Sequence, residues 1–168
     1  MYTTPISGIV NNHKPLEHCL YADDTQIYVS LTPTNANEML KILQKCLQSI
    51  QEWMAQNRLK LNPDKTEFIL FSTPSKRSWL SNFFPVDLLG SQCSPTQKVR
   101  NLGVIFDSEF SLSKQISNIT RSCYYNIRDL SRIRKYVSRS VATTLANALV
   151  SSRLDYCNSL FSGLTGKQ

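Results

Sequence analysis

Two adjacent carboxylates are the residues of this sequence best suited to chemistry. Asp23 and Asp24 stand in the stretch HCLYADDTQIYVSL, between two runs with the composition of β-strands. Neighbouring carboxylates repel each other and lose solvation free energy when buried, so a cation is the group that would stabilise them. Paired carboxylates bind the divalent cations of two-metal nucleotidyl transfer. The competing interpretation is an exposed acidic turn, because the Asp-Asp dipeptide is common.

The residues around the pair predict a strand, a tight turn and a second strand, followed by a long helix. The strands are expected over Glu17–Tyr21 and Thr25–Leu31, with residues 22–24 as the turn. A helix is expected over about Ala36–Gln56, with Asn35 as its N-cap. Its apolar stripe comprises Leu40, Leu43, Leu47, Ile50 and Met54. A short helical turn is expected around residues 5–12.

Weaker strand signals follow this helix. An Asn-Pro-Asp turn at residues 62–64 leads to a predicted strand over Thr66–Phe71. Residues 72–100 are rich in Ser, Pro, Gln and Asn and predict loop, with one strand near residues 85–89. A further strand is expected over Leu102–Phe106. The fold class is therefore α+β.

From Ser113 the apolar period becomes helical. The stripe of this helix comprises Leu112, Ile116, Ile119, Cys123, Ile127, Leu130 and Ile133. A second helix is expected from Arg139 to about Ser151, with Ser138 as its cap, and a short turn over residues 155–161. We expect a mixed, β-rich part at residues 1–110 and an all-helical region at residues 111–168.

Positive charge is concentrated in the helical region. The formal net charge is +7, and residues 111–154 contain eight basic side chains against the single acid Asp129. Arg121, Arg128, Arg132 and Lys135 recur at helical steps, so they share one side, opposite most of the apolar stripe. Such a face would neutralise phosphates without reading bases, and neighbouring tyrosines would stack or hydrogen-bond. A solvated basic face is the alternative.

Several motifs together resemble one enzyme family. Tyr21-Ala22-Asp23-Asp24 resembles the Y-x-D-D signature of reverse transcriptases, in the form found in non-LTR (LINE-type) retrotransposons. The segment LKLNPDKTE at residues 59–67 resembles the palm element that follows this hairpin by one helix. Residues 2–5 resemble the end of the preceding template-contacting motif, and residues 101–104 the segment leading to the thumb. The resemblance implies a partial polymerase palm followed by a thumb-like helical region.

The resemblance also implies residue roles. Asp23 would be a direct ligand of Mg²⁺, and Asp24 a neighbouring acid that shapes the metal site. Tyr21 and Ala22 would lie near the primer end, and the basic helix beside an RNA or RNA–DNA duplex. Lys65 would act as general acid towards pyrophosphate, because an ammonium can protonate a leaving oxyanion; a solvated lysine is the alternative. Asn62 would hold its loop through its side chain.

One feature departs from the family. The family's site also uses an aspartate from an earlier strand, whereas none of the 20 residues before Tyr21 is Asp. We therefore expect a fragment without fingers, inactive and retaining weak nucleic-acid binding, with dNTP a substrate only of a complete enzyme. The alternatives are an active polymerase, if the start is misplaced or a partner chain completes the site, and a domesticated protein-interaction module. Exposed palm surface would favour self-association.

Composition excludes other classes. The five cysteines include no C-x-x-C pair, which favours free thiols over a zinc site. No apolar stretch approaches the roughly 18–20 residues of a membrane span, and the first residues lack the layout of a secretory signal. We expect a nuclear or cytoplasmic protein that is neither secreted nor embedded in a membrane.

Overall fold

The computed structural model describes residues 4–62, 65–80, 83–88 and 91–162. These residues form helices and three small antiparallel sheets of two strands each, so the predicted α+β class is confirmed. The chain divides into a first unit, residues 1–68 with 72–96, and a second unit, residues 69–71 with 97–168. The boundary expected near residue 110 stays a prediction. No helix of the described ranges is long and apolar enough to cross a membrane.

The first unit is built around one long amphipathic helix. Its helices are α1 (Thr4–Asn11), α2 (Ala36–Gln56) and α3 (Pro74–Leu80). Its strands are β1 (Glu17–Tyr21) and β2 (Asp24–Tyr28), which pair with each other, and β3 (Val86–Leu88) and β4 (Ser91–Cys93), which form a second pair. Helix α2 contacts α1 and β3, and α1 also contacts β1. The shared core consists of Ile6, Val10, Leu16, Leu40, Leu43, Cys46, Ile50 and Val86.

Helix α2 has the predicted bounds but a different cap. Asn35 is the residue before the helix, yet its side chain makes no capping hydrogen bond to it. Instead the Asn35 side-chain oxygen accepts from the Thr32 N–H at 2.7 Å, and Thr32 Oγ1 accepts from the Asn35 N–H at 3.3 Å. This reciprocal pair is a capping box one turn earlier, with Pro33 in the first position, where a missing N–H costs nothing.

Two predictions between α2 and β3 were wrong. Residues 66–71 do not form a strand; Ile69 alone has a bridge, and the Phe68 carbonyl accepts from the N–H and hydroxyl of Thr96. Helix α3 lies in the stretch that its Ser, Pro, Gln and Asn content predicted as loop. Pro74 occupies the first helical position, where proline is favoured. The strand near residues 85–89 is confirmed as β3. Leu89 and the turn residues Pro63 and Asp64 lie outside the described ranges.

The second unit packs a hairpin on a run of helices. Strands β5 (Lys98–Asn101) and β6 (Val104–Asp107) pair antiparallel, and β6 contacts helix α4 (Ser113–Ile133). Leu102 and Gly103 form the turn with φ of 45° and 83°, the backbone of a type I′ hairpin turn. The predicted strand therefore begins two residues later, at Val104. The Tyr156 hydroxyl donates to the Leu102 carbonyl and ties this turn to the last helical segment.

The helices after α4 are more broken than their periodicity predicts. A 3₁₀ turn (Arg134–Tyr136) precedes α5 (Arg139–Ala146), which continues as a π-helix (Asn147–Ser151), α6 (Ser152–Asp155) and a second 3₁₀ turn (Asn158–Phe161). The predicted α-helix to Ser151 is thus interrupted at Asn147. The Asn126 side-chain amide donates to the Leu149 carbonyl at 2.9 Å, which satisfies a backbone group within the wider turn.

An aspartate organises the loop between β6 and α4. Asp107 accepts hydrogen bonds from the N–H and hydroxyl of Ser111 at 2.8 and 3.0 Å and from the Glu109 N–H at 3.2 Å. Burial alone would raise the pKa of Asp107, but the hydrogen bonds from Ser111, Glu109 and Leu112 lower it below its ordinary value of 3.8. The bonds hold a loop in which Phe110 and Leu112 have positive φ, at 56° and 57°.

Replacing Asp107 by Asn should destabilise the second unit by about 1 kcal/mol at neutral pH, because an amide replaces an anionic acceptor of backbone N–H groups. Since the pKa of Asp107 is depressed on folding, its contribution is full above pH 3.8 and disappears as the pH falls through the folded-state pKa. Urea unfolding across this pH range measures the difference. Asp129→Asn, an exposed carboxylate on α4, is the control. An equal loss of stability in both variants would contradict this role of Asp107.

Candidate functional site

The two aspartates lie at the tip of the β1–β2 hairpin. Tyr21 pairs with Asp24 in the register, so the turn contains only Ala22 and Asp23. The expected three-residue turn was therefore one residue too long, and β2 begins at Asp24 and ends at Tyr28 rather than running from Thr25 to Leu31. Asp23 belongs to the turn and Asp24 to the strand, which fixes both carboxylates on a short, backbone-defined segment.

The turn requires an unusual backbone at Ala22. Its φ is 54°, in the left-handed region that favours glycine. A positive φ in the first central position is characteristic of the hairpin turns whose twist matches the flanking strands. An alanine there costs about 1–2 kcal/mol relative to a relaxed backbone. The hairpin thus retains a strained residue directly before the Asp pair.

The hairpin has one packed face and one open face. His18, Leu20 and Ile27 are half-buried, and Ile27 packs against the core of the first unit. His18 Nε2 and Ser7 Oγ are hydrogen-bonded at 2.7 Å, which joins the hairpin to α1. Tyr21 lies on the opposite face with 62% of its surface exposed. Because one face is anchored, both aspartates and Tyr21 project into solvent.

A second cross-strand pair lies on the open face, at the end of the hairpin opposite the Asp pair. Glu17 lies directly across from Tyr28 in the register. Desolvation raises the pKa of the Tyr28 phenol, and the charge and hydrogen bond of Glu17 raise it further. A neutral phenol donating to a carboxylate therefore connects the two strands at the end opposite the aspartates.

The predicted palm loop lies between α2 and Phe68. The Asn62 carbonyl accepts from the Lys65 N–H at 3.2 Å and from the Thr66 hydroxyl at 3.0 Å. These contacts use the backbone of Asn62. Lys65 is exposed. Asp64 of this motif, and Tyr2 and Thr3 of the preceding one, lie outside the described residues.

The predicted basic face is present on the second unit. Arg121, Arg128 and Arg132 are exposed on α4, and Lys135 is exposed in the 3₁₀ turn that continues it. At 3.6 residues per turn the three arginines fall within an arc of about 40°. Arg132 forms an exposed ion pair with Asp129 at 3.2 Å. Cys123 and Gln115 are buried on the other side of α4. The side-chain oxygen of Gln115 accepts from the Ile105 N–H at 3.0 Å.

Two further groups share this face. Tyr124 and Tyr125 are 68% and 64% exposed and flank the arginines within an arc of about 100°. Lys114, exposed seven residues before Arg121, falls in the same sector and was missing from the predicted set, although the seven-residue step was visible in the sequence. Lys135 extends its ammonium over the Tyr136 ring at 4.9 Å. The arrangement is a surface of cations and aromatic rings.

Comparison with known proteins identifies the family. The family model described as reverse transcriptase (RNA-dependent DNA polymerase) matches residues 1–106. The chain belongs to the reverse transcriptase family. No curated protein and no solved structure matches it. The matched range includes the Asp23–Asp24 turn, Asn62 and Lys65 and ends before α4, so the basic face lies outside the part that carries the family match.

Reverse transcriptases generally use a divalent metal ion. The carboxylates of Asp23 and Asp24 are hard oxygen ligands of the kind Mg²⁺ prefers. In the ranges that the structure describes, however, no group of three or more His, Cys, Asp or Glu side chains could hold a metal ion. Two adjacent carboxylates do not make the ligand set of a two-metal site.

Replacing Ala22 by Gly should stabilise the hairpin of this reverse transcriptase chain by about 1 kcal/mol, because glycine adopts a positive φ without steric strain. Urea unfolding measures the gain, and amide hydrogen exchange of β1 and β2 locates it. Ala22→Val is the comparison, since a β-branched side chain should increase the strain. A glycine variant less stable than the parent would show that Ala22 is not strained.

Proposed function

We propose that this chain contributes part of the active site and a nucleic-acid-binding surface to a reverse transcriptase of the non-LTR (LINE) type. The observation that carries the proposal is that one chain has two features. The first is a Y-x-D-D turn exposed at the tip of an anchored hairpin, and the second is a face of cations and tyrosines on one side of α4. The first feature suits nucleotidyl transfer, and the second suits phosphate binding.

In the catalytic part, Asp23 is a ligand of Mg²⁺ and Asp24 shapes the same site. Tyr21 and Ala22 lie beside the primer end, for which the exposed tip of the hairpin leaves room. Lys65 protonates the leaving pyrophosphate once the site is assembled, and Asn62 positions the Lys65 loop through the two hydrogen bonds that its carbonyl accepts. The remaining carboxylates come from outside the described residues, through further chain or a partner chain.

In the binding part, the face of α4 contacts the phosphates of an RNA or RNA–DNA duplex. At 1.5 Å per residue, Arg121 and Arg128 are separated by about 10 Å along the helix axis, and Arg128 and Arg132 by about 6 Å. Exposed guanidinium groups at such intervals neutralise a backbone without reading its sequence. We expect affinities on the order of 10⁻⁴ to 10⁻⁶ M, with a strong dependence on salt.

Changing Arg121, Arg128, Arg132 and Lys135 to Gln should weaken binding to an RNA–DNA duplex. The slope of log affinity against log salt should become shallower by up to about one unit for each phosphate that the variant no longer neutralises. Fluorescence anisotropy over a salt series measures both quantities. The matched control removes the same charge from the first unit, by changing the exposed residues Lys41, Lys45, Arg58 and Lys60 to Gln.

The control separates a local face from net charge. An equal decrease in affinity for both quadruple variants would show that overall charge, and not this face, governs binding. Replacing Asp23 and Asp24 by Asn should leave affinity unchanged or slightly higher. If the α4 variant bound as well as the parent at every salt concentration, a domesticated protein-interaction module would explain the chain better.

A polypeptide of these 168 residues should not extend a primer with either Mg²⁺ or Mn²⁺, because its described residues place no third carboxylate beside the Asp pair. Incorporation of labelled dNTP on a primed RNA template is the assay, with Asp23→Ala as the paired control. Incorporation that disappears in the Asp23→Ala variant would refute this expectation and establish an active polymerase.

A further inference from the structure

A single exposed serine interrupts the helices at the end of the basic face. Ser138 lies between the 3₁₀ turn at Arg134–Tyr136 and helix α5, and its side chain is exposed. Val137 has φ −121° and ψ 149°, and Ser138 has φ −63° and ψ 162°, so both residues are extended. The Ser138 hydroxyl oxygen accepts from the Val141 N–H at 3.3 Å. An accessible hydroxyl is thus presented on two extended residues between a 3₁₀ turn and α5.

The surroundings of Ser138 are strongly basic. Arg134 and Lys135 precede it by four and three residues, Arg139 follows it directly, and residues 130–154 contain no Asp or Glu. Arg134 Nη1 donates to the Val137 carbonyl at 3.2 Å, which places the guanidinium beside the residue that precedes the serine. Protein kinases select substrates by charge pattern, and an acidic kinase cleft is complementary to this segment.

We propose that Ser138 is a phosphorylation site for a serine/threonine kinase that recognises basic substrates. ATP is the phosphoryl donor. The bond between its γ-phosphorus and the bridging oxygen breaks, a bond from the γ-phosphorus to Ser138 Oγ forms, ADP leaves, and the hydroxyl proton passes to the kinase's catalytic base. The consequence for binding rests on the proposed nucleic-acid function, whereas the modification itself does not.

Phosphorylation would reverse the local charge. The group adds about −1.5 to −2 charges at neutral pH and three strong acceptor oxygens. Arg134 and Arg139 can donate to these oxygens, as can the first N–H groups of α5, which already direct one bond at the serine oxygen. Two cations next to the α4 face would then be neutralised internally. Affinity for a phosphate backbone falls as a result.

A second serine tests whether the kinase requires an extended backbone. Ser140 is also exposed and also lies next to Arg139, but it belongs to α5, where the backbone is helical. A kinase cleft that binds an extended segment should therefore modify Ser138 and leave Ser140 largely unmodified. Ser131, which is exposed within α4, should stay unmodified for the same reason.

The first experiment treats the full chain with ATP, Mg²⁺ and the catalytic subunit of the cyclic-AMP-dependent protein kinase, and locates the phosphate by tandem mass spectrometry. Phosphate should appear on Ser138, and Ser138→Ala should remove most of the incorporation. Ser140→Ala should incorporate as much as the parent. Absence of phosphate from Ser138, or a preference for Ser140, would overturn the proposal.

The second experiment compares Ser138→Glu with its neutral isostere Ser138→Gln in duplex binding. The Glu variant should bind about threefold more weakly than the Gln variant at low salt, and the difference should shrink as salt screens the charge. A parent that binds but shows equal affinities for both variants would overturn the regulatory consequence. A parent that does not bind refutes the proposed function and leaves the kinase result to decide the modification.

Discussion

Burial of one face of the β1–β2 hairpin determines where the carboxylates lie. Side chains alternate across a strand, so a slip of one residue in the register would exchange the packed and open faces. Ile27 packs on the core that α1 and α2 share, and His18 is held by Ser7. With that face fixed, the two-residue turn exposes Asp23 to water. A turn this short requires the positive φ of Ala22. The position of the Asp23–Asp24 turn therefore depends on the apolar packing of Ile27, three residues after Asp24.

In the second unit, the basic side chains of α4 are exposed to water. Helix α4 buries few residues, among them Cys123 and Gln115, and Arg121 and Arg128 are exposed. Arg132, which is also exposed, pairs with Asp129 on the same helix. Polar contacts add to this packing: Asp107 holds the loop before α4, and Asn126, in the middle of α4, donates to the Leu149 carbonyl of the π-helix. A helix fixed in this way can keep a long basic side in water. Coulomb repulsion among exposed arginines is modest in water and is screened by salt, so the face tolerates an excess of cations over the single acid Asp129.

The sequence predicts the elements whose pattern is long and periodic. Helix α2 has the predicted bounds, and α4 begins at Ser113 as expected, because an amphipathic stripe over twenty residues leaves little ambiguity. The Asp pair was identified from its motif, and the hairpin around it from strand composition. Helix α3 and the π-helix were not predicted, since a seven-residue helix carries too little periodicity and a π-turn depends on a tertiary contact from Asn126. Whether two carboxylates have enough companions to bind a metal is likewise a question of three-dimensional neighbours that spacing in the sequence does not answer.

The two proposed properties, nucleotidyl transfer and phosphate binding, differ in how many residues must be present at once. A two-metal site requires several carboxylates within a few ångströms, so in the proposed function the Asp23–Asp24 turn needs further carboxylates from other segments. A phosphate-binding face gains affinity one cation at a time, so in the proposed function each arginine of α4 would contribute whether or not the others are present. Removal of other palm segments would therefore abolish nucleotidyl transfer and leave duplex binding by the α4 face nearly intact. In the proposed function, duplex binding therefore depends on the charge of α4, and that charge is the property on which phosphorylation of Ser138 would act.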